Sequence, residues 1–137
     1  MARQRWLKGL AVALVAAGVV LVAPSSAYAS ASEHTACGSW QSPASGTAHA
    51  KIRNCTVDWF WDSLDHLNST TVSFDLVDSS TDGVCAKAVV SASPGSHTYT
   101  ECNGVWTNHK VSYGGIYTVT ITLSYGSSSP VTKSFSP

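Results

Sequence analysis

Charged residues are scarce in this sequence of 137 residues, of which Asp, Glu, Lys and Arg make up 12%. Beyond residue 30, five lysines and arginines stand against eight carboxylates, which gives a net charge of about −3, and these cations are scattered along the chain. Nucleic-acid binding depends on clustered cations that neutralise phosphates. We therefore expect no DNA or RNA partner.

Catalytic and metal-binding motifs are also missing. The sequence has no G-x-S-x-G, H-E-x-x-H or S-x-x-K motif and no C-x-x-C pair, and its five histidines are widely separated. Glycoside hydrolysis needs two carboxylates about 5 to 9.5 Å apart across a cleft, for which a domain of this size has little room. We therefore expect no enzyme activity, no metal and no cofactor. The carboxylates considered for such a pair are Asp58, Asp62, Asp65 and Glu101.

The apolar residues near the N-terminus form the parts of a secretory signal. Three cations lie in the first eight residues, an apolar run follows from Gly9 to Ala23, and Ala27 and Ala29 complete a small-x-small cleavage site. An uncleaved membrane anchor is the alternative, but the run is shorter than the ~20 residues that span a bilayer. We predict a signal peptide over residues 1–29, cleaved after Ala29 or Ala31, and a secreted, extracellular protein with no membrane association after cleavage.

All four cysteines lie beyond this signal, where thiols oxidise, and their even number predicts two disulfides. Three pairings are open. We favour Cys37 with Cys55 and Cys85 with Cys102, because each pair flanks a segment short enough to fold back on itself. Each bridge is expected to stabilise the domain by about 3 kcal/mol.

Side chains beyond the signal alternate with a period of two, which predicts an all-β fold. Turn residues about every ten positions favour an immunoglobulin-like antiparallel sandwich of about seven strands. We predict an N-terminal segment over 30–46 and the sandwich domain over 47–137, with hairpin turns at Asn103-Gly104 and Gly114-Gly115. Tyr117 and every second residue to Tyr125 are predicted to face one way. The predicted strands are 48–53, 72–76, 84–92, 97–102, 105–113, 116–125 and 131–135.

Residues 56–68 fit two patterns. The strand pattern places Val57, Trp59 and Trp61 on one face, whereas a helical pattern joins Val57 and Trp61 with Phe60, Leu64 and Leu67. Aromatic and β-branched residues dominate the first half. This composition favours a strand over 56–61 and a loop or single helical turn after Asp62.

Residues 77–86, with the sequence Val-Asp-Ser-Ser-Thr-Asp-Gly-Val-Cys-Ala, combine a strand, an Asp, an Asp-Gly turn and a Cys-Ala strand. This pattern resembles a group of small exported actinobacterial proteins, and the resemblance covers about a third of the exported part. It implies a disulfide-linked β-sandwich and carries no activity with it.

The same segment also resembles a calcium loop in its spacing. Asp78, Ser80, Asp82 and Gly83 occupy positions one, three, five and six of a twelve-residue loop, but position twelve is Val89 where a Glu is required. We interpret the segment as a turn in which Asp82-Gly83 provides the positive φ and Asp78 accepts local N–H bonds.

Four tryptophans and four tyrosines lie beyond the signal, more than a core of this size requires. Some rings are therefore expected to face outwards, where rings stack on the apolar faces of sugars. Our candidate platform is Trp59 and Trp61, with Asp58 and Asp62 bonding the hydroxyls; the alternative is that both rings line the inner face of the sandwich. We expect a non-catalytic module that binds cell-surface or extracellular glycan.

Two other functions stay open. A disulfide-braced loop, 38–46 or 102–106, could bind another secreted protein in the manner of an inhibitor or toxin. Alternatively, the edge strand 131–135 could pair with a neighbour in the envelope or extracellular matrix. We expect the isolated protein to be a monomer.

Overall fold

A computed structural model describes residues 31–62 and 66–137. The predicted signal peptide over 1–29 lies outside the described residues. Residues 63–65, within the predicted loop or helical turn after Asp62, also lie outside them.

The described residues form eight strands in two antiparallel four-stranded sheets, which confirms the all-β prediction. The strand order is β1-β2-β3-β6 in the first sheet and β5-β4-β7-β8 in the second. The strands are β1 (Ser32–Ser42), β2 (Ala50–Trp61), β3 (Leu67–Asp78), β4 (Ala86–Ala92), β5 (Gly95–Glu101), β6 (Thr107–Gly114), β7 (Val119–Tyr125) and β8 (Val131–Phe135).

The core lies between the sheets and is made by every second residue of the central strands. Val72, Phe74 and Leu76 of β3 are fully buried, as their alternation predicted. β7 alternates in the same way from Val119 to Tyr125. Tyr117 does not follow this pattern: it precedes β7, in the connection that crosses between the sheets, and is 54% exposed.

β2 (Ala50–Trp61) is one long strand that covers the predicted strand over 48–53 from Ala50 onwards and the first part of the ambiguous segment, 56–61. The strand interpretation of 56–61 is therefore confirmed. A bulge interrupts the pairing with β3 between Arg53 and Thr56, where Asn54 adopts a positive φ of 50°. The extra residue shifts the alternation by one position, so that Cys55 and Val57 point into the core, where both are buried.

The predicted N-terminal segment (30–46), placed before the sandwich (47–137), contains a strand of the first sheet. β1 is a full member of the first sheet and pairs with β2 from Ser32 to Ser42. It is the eighth strand, which the predicted count of seven omitted. β1 is an edge strand whose outer residues are exposed, so it lacks the apolar alternation of a central strand.

Both favoured disulfide pairings are confirmed. Cys37–Cys55 joins β1 to β2 beside the bulge, and Cys85–Cys102 joins the residue before β4 to the residue after β5. Each bridge therefore links two neighbouring strands of one sheet.

The predicted turns form, but they do not make the predicted hairpins. Asn103 Oδ1 accepts the Val105 N–H at a positive-φ Gly104, yet β5 and β6 belong to different sheets. The Gly114-Gly115 turn likewise leads from one sheet to the other. At the Asp82-Gly83 turn, Asp82 Oδ1 accepts the Val84 N–H, and Asp78 accepts the Ser80 N–H as predicted.

The antiparallel registers give the sandwich two distinct ends. The described chain starts at one end and β8 finishes at the same end, which we call the terminus end. The opposite end carries the β1–β2, β3–β4, β5–β6 and β7–β8 connections and the Cys85–Cys102 bridge.

The two long sides of the sandwich are closed differently. On one side, His109 Nε2 lies 3.0 Å from Glu101 Oε1, and its ring lies 4.6 Å from that of Tyr99, so that β5 and β6 are joined across the sheets. On the other side, the edge strands β1 and β8 contact each other.

Candidate functional site

The predicted aromatic platform does not form as an exposed pair. Trp59 is 0% exposed and its indole Nε1 donates to Thr35 Oγ1 at 3.2 Å, within the core. A ring in this position offers no face to a ligand. The inner-face alternative therefore holds for Trp59.

Trp61 lies two residues further on the same strand face and is half-buried at the terminus end. Its ring meets the exposed Tyr117 ring edge-on, with 5.9 Å between the centroids. A depression of about 550 Å³ lies beside this pair and is lined mainly by the small and hydroxyl residues of 91–93 and 115–120. Tyr117 is its most exposed large side chain.

The two carboxylates predicted to flank the platform each contact a histidine residue. Asp58 is on the outer face of the sheet because successive strand residues alternate, and its Oδ1 lies 2.5 Å from His34 Nδ1. Asp62 accepts the backbone N–H of His66 where the chain turns.

A second groove, of similar volume, lies towards the opposite end, along the side where β1 and β8 meet. Its volume is about 530 Å³, and it receives side chains from both sheets and from the β5–β6 connection. The side chains that can recognise a ligand are two indoles, one amide and three cations. They belong to Trp40, Trp106, Gln41, Lys51, Arg53 and Lys133. We call this site the basic groove.

Trp106 is half-buried, and its ring supports a cation. The guanidinium carbon of Arg53 lies 4.1 Å from the ring centroid, within cation–π range. Arg53 Nε also donates to Asp75 at 3.2 Å. Hydrogen bonds from Asn108, and then from Asn54, hold the pKa of Asp75 below its ordinary value, so this carboxylate stays ionised and fixes the arginine.

The other indole, that of Trp40, supports Lys133. Its register opposite Ile121 places it on the inner face of β8, between Val131 and Phe135, where alternation calls for an apolar residue. Its Nζ lies 5.1 Å from the centroid of Trp40. Inward charges are a known protection of edge strands against pairing with other chains.

Trp40 contributes a polar atom as well as a ring. The residue is 8% exposed, and its indole Nε1 is buried with no hydrogen-bond partner among the described residues. Most buried donors in proteins are bonded, so an unpartnered N–H beside a groove is informative.

The charge of the basic groove differs from that of the chain beyond residue 30 as a whole. Lys51, Arg53 and Lys133 are three of the five cations beyond residue 30, and no carboxylate is among the described residues that line the groove. Cations that are scattered in the sequence are therefore gathered by the sheet pairing. Sequence reasoning missed them for that reason; only the surplus of tryptophans hinted at a second aromatic site.

The groove walls are held by disulfides. Cys37–Cys55 staples β1 to β2 next to Trp40 and Arg53, and Cys85–Cys102 anchors the connection that carries Trp106. The predicted binding loop 38–46 is partly wrong, because β1 extends to Ser42. Loop 102–106 is confirmed as a connection between strands.

Glu101 and Asp58, two of the carboxylates considered for glycoside hydrolysis, lie in different parts of the described sandwich. Glu101 is paired with His109 on the β5–β6 side, Asp58 lies on the outer face of the first sheet, and Asp65 lies outside the described residues. Within 31–62 and 66–137, no three His, Cys, Asp or Glu side chains are grouped to hold a metal. None of these residues forms a helix long and apolar enough to cross a membrane.

Comparison of the chain with protein-family models, with curated proteins and with solved structures gives no match. The resemblance carried by residues 77–86 therefore stays a prediction. Arguments about function rest on the groove itself.

Proposed function

We propose that this protein is a secreted, non-catalytic module that binds cell-surface or extracellular glycan through the basic groove. The observation that carries the proposal is the meeting of two indoles with amide, ammonium and guanidinium donors in one groove. Sugar recognition combines these two chemistries, because sugars present apolar ring faces and a rim of hydroxyls.

The dimensions and rigidity of the groove support this function. A volume of about 530 Å³ is in the range of small-ligand sites, and a groove open along one side suits a segment of a polymer. Cys37–Cys55 and Cys85–Cys102 hold the walls, so little ordering entropy is lost when a ligand docks.

Secretion is part of the proposal. Two disulfides indicate an oxidising environment, and the basic, apolar and small-residue order of residues 1–29 is that of an export signal. A glycan on a cell surface or in the extracellular space is then the accessible class of ligand.

We also propose an immunoglobulin-like assignment of the sandwich. With β1 set aside, the orders β2-β3-β6 and β5-β4-β7-β8 correspond to A-B-E and C′-C-F-G in immunoglobulin letters. The β3–β4 and β6–β7 connections cross between the sheets, as B–C and E–F do. β1 is then an additional strand beside A, and the connections at the groove end are the kind that such folds use for binding.

A second candidate function is binding to another secreted protein. Loop 102–106 is braced by Cys85–Cys102, and Val105 at its tip is 60% exposed. An exposed apolar residue on a rigid loop can act as an anchor for a protein partner.

Co-sedimentation of the oxidised protein with insoluble chitin, cellulose and peptidoglycan tests the glycan proposal. Trp106→Ala removes the more exposed groove indole and is expected to weaken binding at least about tenfold, the loss typical of truncating an aromatic anchor. Tyr117→Ala is the matched control, because it removes an exposed ring at the terminus end.

Each outcome decides between sites or functions. Loss in Trp106→Ala with retention in Tyr117→Ala supports the basic groove. The reverse result would move the site to the depression beside Trp61. If the unmodified protein sediments with none of the three polymers, glycan binding fails for them, and protease inhibition with Val105→Ser as the variant becomes the next test.

A further inference from the structure

We infer that the basic groove selects glycans that carry acidic groups, a carboxylate or a phosphate, over neutral glycans. This inference rests on the proposed glycan binding and adds the chemical class of the ligand. It is carried by the charge, the placement and the unsatisfied donor of the groove side chains.

The first observation is the separation of charge within the molecule. The exported part has a net charge of about −3, yet three of its five cations line this one groove and no carboxylate is among the described lining residues. Asp75, which accepts from Arg53, partly offsets one of the three. A groove lined by cations raises the local concentration of acidic ligands, even on a protein whose net charge is negative.

The second observation is how the cations are held. Arg53 lies over Trp106 and Lys133 lies over Trp40. A ring orients a cation through its quadrupole but adds no negative charge, so the cation keeps its attraction for an anion. Asp75 offsets part of the charge of Arg53, whereas the contact given for Lys133 is with a ring. The indoles therefore act as supports that aim charges at the groove.

The third observation is the position of Lys133 itself. An apolar residue on the inner face of β8 would bury more surface, as its neighbours Val131 and Phe135 do. Beside it, the buried Nε1 of Trp40 has no partner among the described residues. An ammonium and an indole N–H in one wall supply two donors and no acceptor, which suits an anionic oxygen.

The test compares two soluble polymers that differ only in charge, polygalacturonate and its fully methyl-esterified form, by isothermal calorimetry. We expect polygalacturonate to bind at least about tenfold more tightly, and this preference to shrink as NaCl rises from 50 to 500 mM, because salt screens exposed charges. The double variant Lys51→Gln, Lys133→Gln is expected to weaken binding of polygalacturonate about tenfold and to leave the ester unaffected. Lys87→Gln, Lys110→Gln is the matched control, since both of these lysines lie outside the groove.

Two further polymers separate the sources of the anion. Poly(glycerol phosphate) presents phosphates, and tighter binding to it than to polygalacturonate would assign the acidic group as phosphate. Oligo-dT presents phosphates without a glycan, and equal binding to it would overturn the inference in favour of unspecific attraction to polyanions.

The inference and the proposed function fail in different ways. Equal binding of the acidic and esterified polymers, unaffected by salt and by the lysine changes, would overturn acidic selectivity while leaving glycan binding in place. Binding to none of the soluble or insoluble glycans would overturn the proposed function. Near-ultraviolet circular dichroism confirms that each variant retains its fold before binding is measured.

Discussion

Replacement of Trp59 by Ala is the sharpest test of the aromatic arrangement, because it decides whether this ring belongs to the core. Trp59 is fully buried and its indole donates to Thr35. Truncation of a buried Trp to Ala destabilises a protein by about 3–5 kcal/mol, a large part of the about 5–15 kcal/mol that holds a domain of this size. With a urea m-value of about 1.5 kcal/mol/M, the unfolding midpoint should fall by about 2–3 M.

Equilibrium unfolding in urea, followed by near-ultraviolet circular dichroism with the disulfides intact, measures this change. Trp61→Ala is the control, because Trp61 is half-buried and should lose about 1–2 kcal/mol. A fall of less than about 0.5 M for Trp59→Ala would refute the burial of this ring and return it to the surface as a candidate platform.

Three further predictions concern the bridges, the edge strand and the carboxylates. Removing the second disulfide by Cys85→Ser, Cys102→Ser should lower the free energy of unfolding by about 3 kcal/mol in urea titrations, and an unchanged midpoint would deny it a stabilising role. Lys133→Val should produce concentration-dependent association in sedimentation experiments, since β8 loses its inward charge; a monomer at all concentrations would contradict this. The pKa of Asp75 in the folded protein is below its ordinary value of 3.8, so its ionised carboxylate stabilises the fold above pH 3.8, and this stabilisation is lost as the pH falls through the folded pKa. The melting temperature of Asp75→Asn should therefore depend less on pH below about 4 than that of the unmodified protein.

The strands and disulfides could be predicted because their determinants are local. The alternation of Val72, Phe74 and Leu76 requires one wet and one dry face, whatever the neighbouring strand is. The close spacing within each cysteine pair favours the bridge that forms. The aromatic and β-branched composition of residues 56–61 likewise favours a strand.

The partner of each strand could not be predicted from the same patterns. Asn103-Gly104 indicates a reversal of the chain, but the dipeptide does not say whether the next strand joins the same sheet or the facing one. β1 was not predicted because an edge strand has few buried residues. Its buried positions are Cys37, Trp40 and Ser42.

The candidate site depended most on this missing information. Lys133, Arg53 and Trp106 are far apart in the chain and meet only through the order of strands and their register. The burial of Trp59 could not be predicted for a related reason. Alternation shows that two rings share a face, but not which face is covered by the second sheet.

The position of the chain ends has a practical meaning for how this domain can be attached. β1 begins and β8 finishes at the terminus end, whereas the connection that carries Trp106 lies at the opposite end. A linker, tag or fused domain joined at Ser32 or Phe135 would therefore point away from the groove. The molecule can be immobilised or displayed through either of these strand ends with the groove end directed outwards.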